Sequence, residues 1–229
     1  MLTELIFPYS CIGCGLQLQR NFLCEKCKNT LFEYINIRCP ICQKRLPDSA
    51  IRHDCIIKLG LRRFIYAMPY KHPIGQVAIH DLKYLFIRKL ANPLAAALAH
   101  AIHCVAPDYQ KYDLLAVPMP LAQERLRWRG FNQSALLSKT ISSLLNIQMA
   151  SEDILIRSKN TKPQLNLKRD ERFENISGAF AVTNNETLQG RNILLIDDVA
   201  TTCATLKEAA AVLKQNGARS VWAATVAKE

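Results

Sequence analysis

The sequence contains no stretch of about 20 consecutive apolar residues, although 49% of its 229 residues are hydrophobic. A transmembrane helix needs such a stretch, so none is expected. The opening residues, MLTELIFPYSC, also lack the basic segment that begins a secretory signal peptide. We therefore expect a globular protein of the cytoplasm.

Cysteine is scarce beyond residue 55. Of nine cysteines, seven lie within residues 11–55, and Cys104 and Cys203 are the two that follow. This change in composition predicts a small domain over residues 1–58 and a larger one over residues 59–229. The cytoplasm is reducing, so paired cysteines there are expected to bind metal rather than to form disulfides.

Acidic residues are few relative to basic ones, 19 against 30, which gives a formal net charge of +11. A surplus of positive charge attracts polyanions. Nucleic acids and phosphorylated small molecules are therefore the expected classes of partner.

The first four cysteines form two CxxC pairs, Cys11 with Cys14 and Cys24 with Cys27, separated by nine residues. Two tight turns at this spacing can present four thiolates tetrahedrally to one Zn2+. So short a segment cannot bury enough apolar surface to fold without help, so this zinc is expected to be structural.

A second metal site is less complete. Cys39 and Cys42 form a third CxxC pair, and Cys55 follows thirteen residues later. His53 is the best candidate for the fourth ligand because imidazole readily replaces thiolate, although a single residue between two ligands is unusual. Asp54 is the alternative. Nothing nearby offers a general base, so this site is expected to be structural or to form a docking surface. A weak or empty second site is the other alternative.

Strand and helix patterns alternate beyond the cysteine-rich region. Apolar runs predict strands over residues 113–118, 192–199 and 220–227. Helical spacing of apolar residues predicts helices over residues 93–104, 132–145 and 205–216. This alternation indicates an α/β domain with a parallel sheet. Residues 82–90, LKYLFIRKL, also read as a helix, on which Lys83 and Arg88 are expected to be exposed charges.

The stretch ILLIDDVATTCAT, residues 193–205, combines a strand, two acids and a loop of small side chains. Four consecutive apolar residues suit a strand buried on both faces, and ligands of parallel sheets bind at the carboxyl ends of strands. Asp197 and Asp198 are therefore expected beside sugar hydroxyls or a divalent ion. The loop that follows can hold a phosphate with backbone N–H groups, hydroxyls and the positive end of the next helix.

This stretch resembles the PRPP (phosphoribosyl pyrophosphate) motif of type I phosphoribosyltransferases. The resemblance implies that Asp197 and Asp198 contact the ribose hydroxyls and that Mg2+ accompanies PRPP. It also implies that residues 200–205 surround the 5′-phosphate. The implied PRPP-binding residues after the two acids are Val199, Ala200, Thr201, Thr202, Cys203, Ala204 and Thr205.

Two positions depart from that motif. Thr201 stands where many purine-type relatives carry an acid, which disfavours a purine acceptor. Cys203 stands where glycine is usual, and its Cβ limits a positive φ and a close approach of backbone to phosphate.

Three arginines, Arg125, Arg127 and Arg129, follow the predicted strand that ends at residue 118. Guanidinium groups fit phosphate oxygens, so this segment is expected to hold pyrophosphate or nucleic acid. A solvated helix face is the alternative reading.

The whole chain resembles the ComF family. The resemblance is carried by the two zinc ribbons, residues 70–84, PMP and RGFNQ within residues 117–134, residues 162–180, and the PRPP loop. Arg52 departs from it, because the family closes its second ribbon with a CxxC pair that begins there. The resemblance implies a type I phosphoribosyltransferase-like domain behind a small zinc-ribbon domain.

By resemblance, the protein acts in natural transformation, handling incoming single-stranded DNA together with DNA-uptake or DNA-processing proteins. Two functions remain open: transfer of a phosphoribosyl group from PRPP to an unidentified acceptor, and PRPP sensing by a DNA-binding or partner-binding module without turnover. The sequence identifies no catalytic residue. The basic residues of 157–172 predict a lid over PRPP or a loop that contacts DNA.

Overall fold

The computed structural model describes residues 9–34, 38–46, 53–158 and 176–229. Of the predicted lid over residues 157–172, Arg157 and Ser158 lie within these ranges and the rest lies outside them, as does Arg52. Among the described residues, no helix combines the length and the apolar character needed to cross a bilayer.

A five-stranded parallel sheet forms the centre of the molecule, in the order β3-β9-β8-β4-β5. The α/β class predicted from the sequence is confirmed. The strands are β3 (Arg63–Pro69), β4 (Leu114–Pro118), β5 (Gln148–Met149), β8 (Asn192–Ala200) and β9 (Ser220–Lys228).

Helices cover both faces of this sheet. They are α3 (Pro73–Tyr84), α4 (Ala91–Val105), α5 (Gln123–Arg129), α6 (Gln133–Leu145) and α7 (Ala204–Gln215). On β8, Leu194 and Ile196 pack toward α3, α4 and α6, whereas Ile193 and Leu195 pack toward α7. The face with α7 also carries the antiparallel pair β6 (Leu155–Arg157) and β7 (Phe180–Val182).

Strand alternation explains these two cores. Successive side chains of a strand point to opposite faces, and a central parallel strand is covered on both. Residues 193–196 of β8 are therefore all fully buried. This burial fixes the register of β8, and with it the positions of the acids at its carboxyl end.

The predicted helix over residues 82–90 is wrong. Helix α3 ends at Tyr84, and Phe86 takes a left-handed conformation with φ of 57° before a short 3-10 turn, Arg88–Leu90. A bulky residue at positive φ cannot continue a right-handed helix. The chain therefore turns here, at the edge of the sheet where β8 ends.

The N-terminal region contains a two-stranded pair, β1 (Tyr9–Ser10) and β2 (Gln17–Leu18), and two short helices, α1 (Glu25–Asn29) and α2 (Asp54–Ile57). Cys11, Leu23, Cys27 and Leu31 belong to the same core as α3 and α4. The zinc-ribbon region is thus packed directly against the larger domain.

A close approach of backbone to α3 makes this packing possible. A Cβ at Gly13 would lie 2.9 Å from Cδ1 of Ile74 and 2.8 Å from Sγ of Cys27. His72 adds polar contacts at the start of α3: its Nε2 lies 3.2 Å from the carbonyl oxygen of Thr30, and its Nδ1 accepts from the N–H of Gly75. One tautomer, with the proton on Nε2, satisfies both contacts.

Candidate functional site

A small cavity lies where β8 passes into α7. It is lined by Asp197, by all residues from Val199 to Thr205, and by Leu206. The sequence motif and the cavity therefore coincide, apart from Asp198. The first turn of α7 points its N–H groups toward this space, which makes the helix end attractive to an anion.

Cys203 is the residue immediately before α7, and its backbone is left-handed, with φ of 64°. The loop thus keeps the conformation that glycine would adopt most easily, and cysteine accepts a conformational cost of about 1–2 kcal/mol to do so. The side chain is 3% exposed and belongs to the core under α7. Burial of the side chain offsets part of that cost.

Asp197 is the acid that faces the cavity. Its Oδ1 accepts from Oγ of Ser134, at 3.0 Å, and from the backbone N–H of Asp198, at 2.8 Å. Burial, together with the adjacent charge of Asp198, raises the pKa of Asp197 to about 7. The two hydrogen bonds and Lys83 oppose this rise. The carboxyl group is therefore poised between its two protonation states near neutral pH.

Asp198 lies on the other side of β8 and is 4% exposed. Its Oδ2 lies 2.9 Å from Nζ of Lys83 at the end of α3. Lys83 is thus an ion-pair partner within the site, and the expectation that it is an exposed helix charge is wrong. Because successive residues of a strand face opposite ways, the two adjacent acids occupy different environments.

The three predicted arginines are not equivalent. Arg125 and Arg127 are exposed, whereas Arg129 is 7% exposed and donates from Nη1 to Oε1 of Gln133. Burial lowers the pKa of Arg129, and the charge of Asp198 acts in the opposite direction. Helix geometry turns Arg127 away from the other two, because residues two apart point to different sides of a helix, whereas Arg125 and Arg129, four apart, share a face.

Two further basic residues lie at this site: Arg157, which the sequence assigned to the predicted lid or DNA-contacting loop, and Lys228, which was not predicted there. The pKa of Arg157 is lowered chiefly by burial, then by the charge of Arg125, and is raised by that of Asp197, so the three groups are near one another. Nζ of Lys228, at the end of β9, donates to the carbonyl oxygen of Thr201 at 2.9 Å. Lys228 comes from β9, whose end lies beside that of β8 in the sheet, whereas Arg157 comes from β6 of the separate antiparallel pair.

The first cysteine cluster brings together Cys11, Cys14, Cys24 and Cys27, whose sulfur atoms all lie within 4.8 Å of one another. Sγ of Cys14 is 3.7 Å from Sγ of Cys24. A tetrahedral zinc site with Zn–S bonds of 2.3 Å has S–S edges of about 3.8 Å, so this spacing fits Zn2+.

The second cluster contains Cys39, Cys42, His53 and Cys55, again within 4.8 Å of one another. Nε2 of His53 lies 3.7 Å from Sγ of Cys42. His53 precedes α2 in extended backbone, and the turn into this helix brings both His53 and Cys55 to the cluster. Asp54, the alternative fourth ligand, is not part of the group.

Comparison with protein families agrees with this arrangement. Residues 2–56 match the double zinc ribbon domain, and residues 132–229 match the phosphoribosyl transferase domain. Over 202 residues the chain is 31% identical to competence protein ComFC of Bacillus subtilis, which covers 85% of this chain and 79% of that protein. The chain belongs to the ComF family.

Two other relatives of this ComF protein match it over different shares of the chain. Competence protein F of Haemophilus influenzae is 30% identical over 94% of this chain and 95% of its own. DNA utilization protein YhgH of Escherichia coli K12 is 33% identical over 70% of this chain and 69% of its own. The predicted combination of zinc ribbon and phosphoribosyltransferase-like domain is confirmed, and the cysteine clusters support structural zinc in this ComF protein.

Proposed function

We propose that this protein binds PRPP with Mg2+ at the junction of β8 and α7 and handles single-stranded DNA during DNA uptake in the cytoplasm. The observation that carries the PRPP part is the cavity at this junction, which is lined by Asp197 and the loop from Val199 to Thr205. Their backbone N–H groups and hydroxyls match the needs of a phosphate, and Asp197 matches those of a sugar hydroxyl.

Each part of PRPP has a chemically suitable partner. The 5′-phosphate is assigned to the loop over 200–205 at the start of α7. The ribose hydroxyls are assigned to Asp197 and, less directly, to Asp198, whose carboxylate pairs with Lys83. The pyrophosphate is assigned to Arg125, Arg127 and Arg129, of which Arg125 interacts electrostatically with Arg157 and Arg129 with Asp198. Mg2+ would neutralise phosphate charge beside the two aspartates.

Transfer of the phosphoribosyl group would break the bond between C1′ and the pyrophosphate oxygen and form a bond from C1′ to an acceptor. Pyrophosphate would leave with the bonding electrons, and the acceptor would lose a proton. Thr201 offers no carboxylate to receive that proton, so the acceptor is expected to be acidic itself. Sensing of PRPP without turnover is the second candidate function. Thr201 favours it, because this residue cannot accept a proton from an acceptor.

The DNA-handling part is supported by charge and by the relatives. The chain carries a net charge of +11, Arg125 and Arg127 are exposed, and relatives are named for competence and DNA utilization. A cytoplasmic location is consistent with cysteine clusters that must stay reduced to bind zinc.

Calorimetric titration with PRPP and Mg2+ tests the pocket. We expect the wild type to bind PRPP and Asp197→Asn to bind it at least tenfold more weakly, because the variant loses a charged acceptor worth about 1.5–3 kcal/mol. Asp113→Asn is the matched control, since Asp113 is an exposed acid before β4 at the opposite edge of the sheet. Equal affinities of wild type and Asp197→Asn would exclude the assignment.

Pyrophosphate release separates the two candidate functions. The protein is incubated with PRPP, Mg2+ and single acceptors, and pyrophosphate is measured against the Asp197→Asn variant. Release above that background indicates transfer, whereas tight binding without release indicates sensing.

A further inference from the structure

Three aromatic side chains are exposed together beside the PRPP site. Tyr84, Phe86 and Trp128 are 44%, 40% and 57% exposed. The ring centroids of Phe86 and Trp128 are 5.0 Å apart, and those of Tyr84 and Trp128 are 6.1 Å apart. We call this group of Tyr84, Phe86 and Trp128 the aromatic platform. Large aromatic side chains are highly buried on average, so three neighbouring rings that are each at least 40% exposed are unusual on a protein surface.

The backbone holds the platform in place. Phe86 lies in the left-handed region, with φ of 57°, where a bulky residue is strained. Its ring also meets that of Phe131, at 6.5 Å between centroids, edge to face. Such a conformation costs free energy and yet directs an apolar ring toward solvent. Strain of this kind is commonly found at functional sites.

Positive charge surrounds the rings. The guanidinium of Arg88 lies 4.7 Å from the centroid of Phe131, and its Nη2 donates to the carbonyl oxygen of Gly130. Arg88 and Arg127 are both exposed, and Arg127 is the immediate neighbour of Trp128. Glu124 is the single acid of α5, which carries three arginines. The surroundings of the platform are therefore suited to a polyanion.

The platform also borders the proposed PRPP site. Tyr84 follows Lys83, whose Nζ contacts Asp198, and the guanidinium of Arg129 lies 6.0 Å from the centroid of the Tyr84 ring. Arg129 in turn interacts electrostatically with Asp198. A ligand lying on the platform would thus be adjacent to the carboxyl end of β8.

We propose that the aromatic platform stacks unpaired bases of single-stranded DNA, while Arg88 and Arg127 contact its phosphates. This inference rests on the proposed DNA-handling function and assigns it a surface. Exposed rings with adjacent guanidinium groups provide the two contacts that single strands offer, a base face and a phosphate. Duplex DNA has its base faces covered and would not use the rings.

Tryptophan fluorescence provides a direct test. The chain has two tryptophans, of which Trp222 is fully buried and Trp128 is exposed. Titration with a short oligothymidylate should quench the emission of Trp128 through stacking. An oligonucleotide of the same length made of abasic sites carries the same charge and should cause much less quenching. Equal quenching by the two would overturn the proposal.

Variants complete the test, with binding measured by fluorescence anisotropy of a labelled oligothymidylate. Trp128→Leu should weaken binding about tenfold, because it removes the aromatic surface on which a base stacks. Trp128→Tyr should restore most of the affinity. Leu144→Ala removes a similarly exposed apolar side chain, 55% exposed, from the far end of α6 and should have no effect.

The outcomes separate this inference from the function on which it rests. If the wild type does not bind the oligonucleotide, the DNA-handling function and the platform are both rejected. If the wild type binds it but Trp128→Leu binds equally well, only the platform is rejected. Unchanged thermal unfolding of Trp128→Leu would show that the variant is folded, as its exposure leads us to expect.

Discussion

Nζ of Lys83 lies 2.9 Å from Oδ2 of Asp198, and this contact joins the end of α3 to the end of β8. The side chains are 19% and 6% exposed, so the pair is largely removed from water. Asp197, one residue earlier, instead bonds to Ser134 and faces the cavity. Two adjacent acids of one motif thus have separate surroundings, and they are expected to contribute differently to stability and binding.

Removing one member of this pair should destabilise the protein. Lys83→Met leaves the Asp198 carboxylate buried without its cation, and we expect a loss of about 3 kcal/mol in the free energy of unfolding. Urea denaturation measures this loss. Adding Asp198→Asn removes the uncompensated charge and should recover more than half of it. Additive losses in the double variant would show that the two side chains do not interact.

PRPP affinity should depend on pH through Asp197, whose pKa is raised to about 7. Lowering the pH from about 8 to 6 protonates this carboxyl and removes its charge, so affinity should fall about tenfold. Calorimetry in the presence of Mg2+ at both pH values measures the change. The phosphate of PRPP also takes up a proton near pH 6. The pH dependence of PRPP binding by Asp197→Asn measures that separate contribution. An equally steep pH dependence in this variant would exclude Asp197 as the cause.

The metal content of the protein should follow the two clusters. We expect two zinc ions per chain by elemental analysis, with His53→Ala and Cys42→Ser each lowering the content to one. Asp54→Asn should keep two, because Asp54 is outside the cluster. Cys104→Ser, at an exposed cysteine of α4, is a further control. A loss of zinc in Asp54→Asn but not in His53→Ala would reverse the ligand assignment.

The left-handed backbone at Cys203 should affect the free energy of unfolding of variants at this position. We expect the free energy of unfolding of Cys203→Gly to exceed that of Cys203→Ala by about 1 kcal/mol, because glycine alone adopts a φ of 64° without cost. Urea denaturation of both variants measures this difference. At Lys207, an exposed position within α7, the order should reverse, with alanine more stable than glycine. The same order at both positions would argue against a left-handed Cys203.

Much of the fold could be predicted because it depends on local patterns. The continuous apolar run of β8, the helical spacing in α4, α6 and α7, and the CxxC pairs each signal their structure within a few residues. The loop that we propose binds PRPP was also visible, since its acids and small residues are consecutive. His53 was the best candidate ligand from chemistry alone, and the structure brings it to the cluster.

The other features depend on contacts between distant segments. Nothing near Lys83 in the sequence shows that Asp198 lies beside it, 115 positions later, or that Lys228 reaches the carbonyl of Thr201. The burial of Arg129 depends on how α5 packs. The left-handed turn at Phe86 interrupts an otherwise good helical pattern, and one residue at positive φ leaves no periodic signal.

The contact between His72 and Thr30 has a consequence for thermodynamic linkage. His72, which caps the start of α3, is bonded to the zinc-ribbon region, and Lys83, in the last turn of α3, is paired with Asp198. Whatever stabilises one end of α3 therefore favours the arrangement at the other. By reciprocity, bound zinc should raise the affinity of the protein for PRPP, and bound PRPP should raise its affinity for zinc. A chelator should therefore remove zinc less readily when PRPP is present.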